Sequence, residues 1–564
     1  MHFYSLLSSS VPSNHKHMMR PLVIALLLLI STATTHAQIN TQRMMEVGRN
    51  ALYYDDYALS IQYFSRVILA KPYLYEPYFY RGLAKFYLED YHGAESDLSE
   101  AIRINPFYPN SYEVRGLSRI NLKKFDLASE DYRQATDMMP ESKALWHNWV
   151  LCNIQLDSLQ RADSISSAFI RRWPRYADGY TLKAQILMQE GDTIQAECYL
   201  DTALVNDPYS VTPLSIKAAM CMTREEWNKA DSLLTKALRG EPRNTHNIIN
   251  RALARYHMNN LRGAMADYDM ALDIDPTNFI GHYNRGLLRT NVGEDNAAIE
   301  DFDFILRIDP NDVMAIYNRA ELRMRTGDYR GAVADYTKLI RTYPNFLTGY
   351  SRRAEARRRA GDKRGAAQDE DHILREQIAH RFGYSTPATR QGVKTRRKSD
   401  VNLEEYQKLV VDDEDNSKNY EGGYRGKIQN QETALELQAP LSLPDYRQKE
   451  APRDESFANA LEHLVLGENE QALAGFDHVI EQNSRLPEAY YNRAYALAKL
   501  HRNQAAKEDL DKAIKLDPDL APARYNRGII LILLGEKEQA IPDLSKAGEL
   551  GIYQAYSVIK HHTR

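Results

Sequence analysis

Asn250, Asn284 and Asn318 lie thirty-four residues apart, and Asn492 and Asn526 repeat that interval near the C-terminus. A carboxamide donates and accepts at once, so one such side chain can satisfy both the N–H and the C=O of a peptide backbone. A row of them at constant spacing is therefore a candidate polar surface for a partner. Tyr283, Tyr317, Tyr491 and Tyr525 each precede an asparagine of the row, and a tyrosine ring joins a large apolar face to a polar tip, which suits an anchor for a partner. Asparagine at a recurrent place is equally compatible with a solvated helix face. At roughly 0.5–1.5 kcal/mol net per hydrogen bond, three amides alone do not make a tight site.

No catalytic constellation accompanies them. The chain has no HExxH, no GxSxG and no GxxxxGK[ST], and its glycine-rich stretch Gly422-Gly423-Tyr424-Arg425-Gly426 lacks the phosphate-binding lysine. His561 and His562 are adjacent, and two ligands define no closed metal site. No cofactor and no metal are expected. The three cysteines, Cys152, Cys198 and Cys221, are too widely spaced for a metal motif or a disulfide framework and read as buried, inert thiols. Seventy-two basic against seventy-six acidic side chains leave a formal charge of −4, without the positive excess of a nucleic-acid binder.

The elements that position the asparagines are visible in a proline ruler. Pro72, Pro106, Pro140, Pro174, Pro208, Pro242, Pro276, Pro310 and Pro344 follow one another at thirty-four residues without an insertion. Ten units begin at 41, 75, 109, 143, 177, 211, 245, 279, 313 and 347, and three more at 453, 487 and 521. Each reads as two amphipathic helices joined by a short polar turn, with proline stopping the second. Counting from the start of a unit, the eighth place is Gly or Ala in all but Val150, and the twentieth is Ala in all but Ser60. Small residues there permit close helix packing.

An aromatic fourth place (Tyr78, Tyr112, Trp146, Tyr180, Tyr350, Tyr490), the small eighth and twentieth, a large twenty-fourth (Phe64, Tyr132, Tyr268, Phe302, Tyr336, Phe476) and the terminal proline together resemble the tetratricopeptide repeat (TPR) family. The resemblance covers the array 41–380 and the array 453–564. It implies an all-α, right-handed α-solenoid of about thirteen helix-turn-helix units in two arrays, with first helices lining a concave groove for peptides or proteins. Asparagine at the sixth place implies a backbone-binding ladder there. The family's carboxylate clamp uses lysine at the fifth place, where this chain has Ile249, Tyr283 and Tyr317, so a cytosolic chaperone-tail receptor is not implied. Neighbour-only contacts require capped ends, and residues 551–560 read as a capping helix.

Arginine fills the seventh place in eight units, as Arg81, Arg115, Arg251, Arg285, Arg319, Arg353, Arg493 and Arg527. The same eight carry aspartate at the twenty-third, as Asp97, Asp131, Asp267, Asp301, Asp335, Asp369, Asp509 and Asp543. Covarying places suggest contact, and an ion pair joining the two helices of a unit is expected, bidentate in form. Units 4 to 6 lack the pair and hold all four tryptophans, Trp146, Trp149, Trp173 and Trp227. These are either core aromatics or a partner patch.

Residues 381–452 leave the repeat. A basic stretch gives way to an acidic one, Gly and Pro punctuate it, and residues 434–437 alternate like a short strand. A charged linker or a small docked element is expected. At the other end, a nine-residue apolar run at 22–30 follows Lys16 and Arg20 and leads into small residues at 31–37. That is the pattern of a secretory signal, with Met1, Met18 and Met19 as alternative starts, and too short for a membrane span. The expectation is an exported, non-catalytic scaffold or adaptor, in the periplasm or cell envelope, that binds a protein or peptide partner during assembly or secretion. No transmembrane segment is expected in the mature chain. A self-assembling structural protein, or an enzyme with its site in 381–452, are the alternatives.

Overall fold

The computed structural model describes residues 40–382, 408–409, 434–444, 447 and 455–563. The signal-like residues 1–37 lie outside them. The described residues form 27 α-helices and no strand, and the alternating residues 434–437 have no ladder partner, the Glu436 N–H bonding the Ala434 carbonyl at 3.0 Å.

Repeat 8 shows how one unit is built. Asn278 starts the helix Phe279–Val292 by accepting from the Gly281 N–H at 2.7 Å, satisfying a donor that the first turn would leave orphaned. Gly293 ends it at φ 86°, and Asp295–Ile308 runs back. Every one of the thirteen repeats has a left-handed residue at this fifteenth place, including Asp55, Lys123, Glu225 and His501. Glycine adopts that conformation freely, whereas side chains with a Cβ pay roughly 1–2 kcal/mol. The helix packing holds them there regardless.

The fourth-place aromatic has a polar task that its spacing did not disclose. Tyr112 Oη donates to the Pro106 carbonyl at 3.2 Å, Trp146 Nε1 to Pro140 at 3.0 Å and Tyr180 Oη to Pro174 at 2.8 Å. The carbonyl left open between repeats is thus closed six residues later. The small eighth place is explained by the large twenty-fourth. A Cβ on Gly286 would lie 3.1 Å from Phe302 Cζ, and one on Gly528 only 2.6 Å from Leu544 Cγ.

All eight arginine-aspartate pairs form. Arg285 Nη2 donates to Asp301 Oδ1 at 2.6 Å and Nε to Oδ2 at 3.1 Å; Arg319 holds Asp335 at 2.5 and 3.0 Å. The remaining edge of the guanidinium reaches back as far as the pair reaches forward. Arg285 Nη1 meets Asp269 at 2.9 Å, Arg319 Nη1 meets Asp303 at 2.6 Å and Arg81 Nη1 meets Ser65 at 3.1 Å. A second arginine, one turn later at the eleventh place, adds a further bond to the same aspartate: Arg119, Arg255, Arg289, Arg323 and Arg357 do so at 2.7–2.9 Å.

The chain divides into two compact units, one of residues 1–157 with 420–564 and the other of residues 158–419. Within the first, the end of the second array packs on the start of the first. Lys85 Nζ bonds Glu549 Oε1 at 2.5 Å and Asp97 Oδ2 at 2.9 Å, and Ser545 Oγ donates to Asp90 Oδ2 at 2.5 Å. The tail helix Gln554–His562, expected as a cap, buries Ala555, Tyr556, Val558 and Ile559 in one cluster with Tyr57, Ile61 and Ala84. It joins the last repeat to the first two, and does not close the array toward solvent. Within the second unit, Lys183 bonds Asp163 and Ser167 and Lys217 bonds Asp201. Repeats 5 and 6 therefore keep a backward contact and lose the forward one, because Tyr199 and Leu233 replace aspartate at the twenty-third place. Cys152 and Cys221 are buried, but Cys198 is exposed, which corrects the expectation for one thiol of the three.

Two measurements test these joints. In a double-mutant cycle on Arg285→Met and Asp301→Asn, chemical denaturation should show a coupling of about 1–3 kcal/mol; strict additivity would remove the pair from the stability of the repeat. At the other joint, burial pushes the Glu549 carboxyl up, but the charges of Lys85 and Arg81 outweigh it and hold it down at about 2, against an ordinary 4.5. Its contribution is present above 4.5 and disappears as the pH falls toward 2. Glu549→Gln should cost roughly 3 kcal/mol at neutral pH and flatten the acid limb of a pH-stability curve between those values; an unchanged acid limb would refute this assignment.

Candidate peptide-binding groove

Repeats 11 to 13 comprise the helix pairs Ser456–Val465 with Asn469–Gln482, Pro487–Lys499 with Asn503–Leu516, and Ala521–Leu533 with Lys537–Glu549. Their first helices carry the sixth-place residues on one side. Across those helices lies the chain's own segment 434–444. Asn526 Oδ1 accepts from the Gln438 N–H at 2.7 Å while its Nδ2 donates to the Gln438 carbonyl at 3.2 Å. Asn492 treats Leu441 in the same way, at 2.8 and 2.7 Å. Each carboxamide thus satisfies both main-chain groups of a single residue, which is possible because an extended backbone points them to the same side.

Tyr491 completes the grip. Its hydroxyl lies 2.8 Å from the carbonyls of both Gln438 and Ala439 and accepts from Asn526 Nδ2 at 2.9 Å. Burial raises the Tyr491 hydroxyl well above its ordinary value, against the bond from Asn526, which lowers it, so it stays a donor across the physiological range. The segment's leucines enter successive apolar clusters. Leu435 and Leu437 pack against the cluster holding Tyr525, Tyr556 and Ile559, Leu437 and Leu441 against Tyr490, Tyr491 and Ile530, and Leu443 against Phe457 and Phe476. Beyond Pro444 the Arg447 guanidinium reaches Asp517 at 2.9 Å and Glu488 at 3.5 Å.

In the first array the asparagines Asn250, Asn284 and Asn318 are buried. Asn250 Nδ2 lies 3.3 Å from His246 Nε2, and Asn318 donates to the Met314 carbonyl at 2.9 Å. Tyr283 and Tyr317 are 1% and 3% exposed, with Tyr283 edge-on to Phe302 and Tyr317 edge-on to Phe346. None of the four tyrosines offers its ring to solvent. Tyr283 and Tyr317 are core residues, while Tyr491 and Tyr525 form the floor beneath the segment. Leu409, from the same non-repeat stretch, packs against the cluster of Tyr283 and Leu287 and that of Cys221 and Leu253.

Each tryptophan lies among residues of its own unit. Trp146 and Trp149 belong to one compact unit and Trp173 and Trp227 to the other, and each is half-buried against its own repeats. Trp146 lies against Trp149, Trp173 is edge-on to Phe169, and Trp227 stacks on His257 at 4.0 Å. Among the described residues no cluster of three metal-ligating side chains occurs and no helix is long and apolar enough to cross a membrane.

Two tetratricopeptide repeat family models match the chain, at residues 314–345 and 487–520. A search of curated protein sequences returns no match. Among solved structures, the chain is similar to YrrB, a TPR protein with an unusual peptide-binding site, at 18% identity over 33% of this chain and 95% of that one, with a TM-score of 0.31. It is also similar to pilF of Pseudomonas aeruginosa, at 17% identity over 38% and 98% with a TM-score of 0.35. A third is a thermophilic TPR protein of Thermus thermophilus, at 20% identity over 30% and 92% with a TM-score of 0.27. The described residues have an all-α repeat architecture, and residues 314–345 and 487–520 within it are tetratricopeptide repeats.

Proposed function

We propose that this chain is a non-catalytic scaffold or adaptor, exported to the cell envelope, that holds extended segments of other proteins in the grooves of its repeats during assembly or secretion. The observation that carries the reading is the reciprocal pair of bonds that Asn492 and Asn526 each make to one residue of an extended backbone. Main-chain groups are the same in every peptide, so such a ladder supplies grip and direction, and the apolar clusters beside it supply selection. The envelope location rests on the signal-like residues 1–37.

Crosslinking in intact cells, followed by capture of the full chain from the envelope fraction, should trap discrete partner proteins. The variant Asn250→Ala/Asn284→Ala/Asn318→Ala should trap them at least tenfold less while keeping its helical circular dichroism. Equal trapping by the folded variant would rule out the first-array ladder, and recovery of the chain in the cytoplasm alone would rule out the envelope reading. In the second array, Asn492→Ala leaves both main-chain groups of Leu441 without their partners. It should destabilise segment 434–444 on the repeats by about 1–3 kcal/mol, visible as faster hydrogen exchange at Leu441; unchanged exchange would mean the amide holds nothing.

A further inference from the structure

The groove of repeats 11 to 13 is filled in this chain, and its occupant shows what it selects. We infer that residues 434–444 are a resident pseudo-ligand of this groove, and that the partner replacing them is an extended peptide with two Leu-X-Leu pairs three residues apart, the second followed by proline. The inference rests on the reading that the asparagine ladder binds extended peptides.

The register is regular. Gln438 meets Asn526 of repeat 13 and Leu441 meets Asn492 of repeat 12, so the segment advances three residues per repeat and runs opposite to repeat order. One step further, Pro444 falls opposite repeat 11, whose sixth place is Ala458. Proline has no N–H to give and alanine no amide to receive it. The missing donor and the missing acceptor coincide, and the Pro444 carbonyl accepts instead from the Arg447 N–H at 2.8 Å. Side chains follow the same plan: Leu435, Leu437, Leu441 and Leu443 enter the apolar clusters, while Glu436, Ala439 and Ser442 face outward.

Replacement is physically open to a competitor because the paired helices of each repeat pack on one another as well as on the segment. Ala472, Phe476 and Val479 in repeat 11, Ala506, Leu510 and Ala513 in repeat 12, and Ala540, Leu544 and Ala547 in repeat 13 are at most 1% exposed between paired helices. The segment's leucines are only partly buried. What favours the resident is its tether, eleven residues from Pro444 to the helix beginning at Ser456. So short a connection gives an effective concentration of about millimolar. An outside peptide must compete against that, and the intact chain is accordingly a weak binder until the resident leaves.

The test uses the full chain and a fluorescein-labelled peptide of the sequence 434–444. By fluorescence anisotropy, Leu437→Ser/Leu441→Ser should bind this peptide at least tenfold more tightly than the wild type. Adding Asn492→Ala/Asn526→Ala should remove the gain. Equal binding by the wild type and the folded leucine variant would overturn the resident's role while leaving the groove a peptide site. Equal binding of a leucine-free peptide of the same length would overturn the selection alone, and no binding of either peptide by the folded variant would overturn both this inference and the function proposed for the second array. A second measurement needs no variant. Excess free peptide should speed hydrogen exchange at Gln438 and Leu441 of the wild type at least fivefold without altering the helix Ala521–Leu533; amides protected as strongly as that helix, and unmoved by peptide, would make the segment an integral part of the array and sink the proposal.

Discussion

A guanidinium bound sixteen residues forward and sixteen back is the interaction on which the rest of this architecture depends. The forward bonds, such as Arg285 to Asp301, fix the two helices of one repeat, and the backward bond, Arg285 to Asp269, fixes that repeat on its predecessor. Apolar packing of a large twenty-fourth residue over a small eighth one supplies most of the attraction, but that force is non-directional. The planar fork of arginine is directional. Because the sixth-place asparagine is the arginine's immediate neighbour in sequence, holding one at a fixed interval holds the other. The ladder inherits its spacing from the joint.

The middle repeats show what happens when half of this joint is withdrawn. Lys183 and Lys217 reach back to Asp163 and Asp201, but a lysine is a point charge on a flexible stem and no aspartate waits for it on the forward side. Stacking between repeats survives there while the charge link inside each repeat is gone. Repeats 5 and 6 also lack asparagine at the sixth place, where Leu182 and Ile216 stand, whereas repeat 4 keeps Asn148. The two features are nevertheless separable, since repeats 2, 3 and 10 keep the ion pair with Tyr80, Val114 and Arg352 at the sixth place.

Of the site, the amide readers were legible and their ligand was not. Asn492 and Asn526 announce themselves because they recur on the repeat ruler. Residues 434–437 showed only strand-like alternation, and the expectation of a docked element stopped there, since the segment's partners lie 51 and 88 residues away. The tyrosines misled for a related reason. A ring one residue from a groove asparagine belongs to either face of a helix pair until neighbouring helices are placed, and Tyr283 proved to face Phe302 across its own repeat. Trp146, read either as a core aromatic or as part of a partner patch, donates to the Pro140 carbonyl.

By itself the sequence determined what a thirty-four-residue window can encode: the helix pairs, the short turn between them, the arginine-aspartate pairing and the recurrent amides. Those features rest on contacts within a repeat or with its neighbour, so periodicity alone exposes them. Tertiary structure decided what no period carries. Lys85 meets Glu549 across 464 residues of chain, turning an expected end cap into a junction, and a stretch outside the repeats lies in the groove that the repeats build. Both depend on two remote, non-repeating surfaces being complementary, and a single occurrence leaves no pattern along a chain from which to read it.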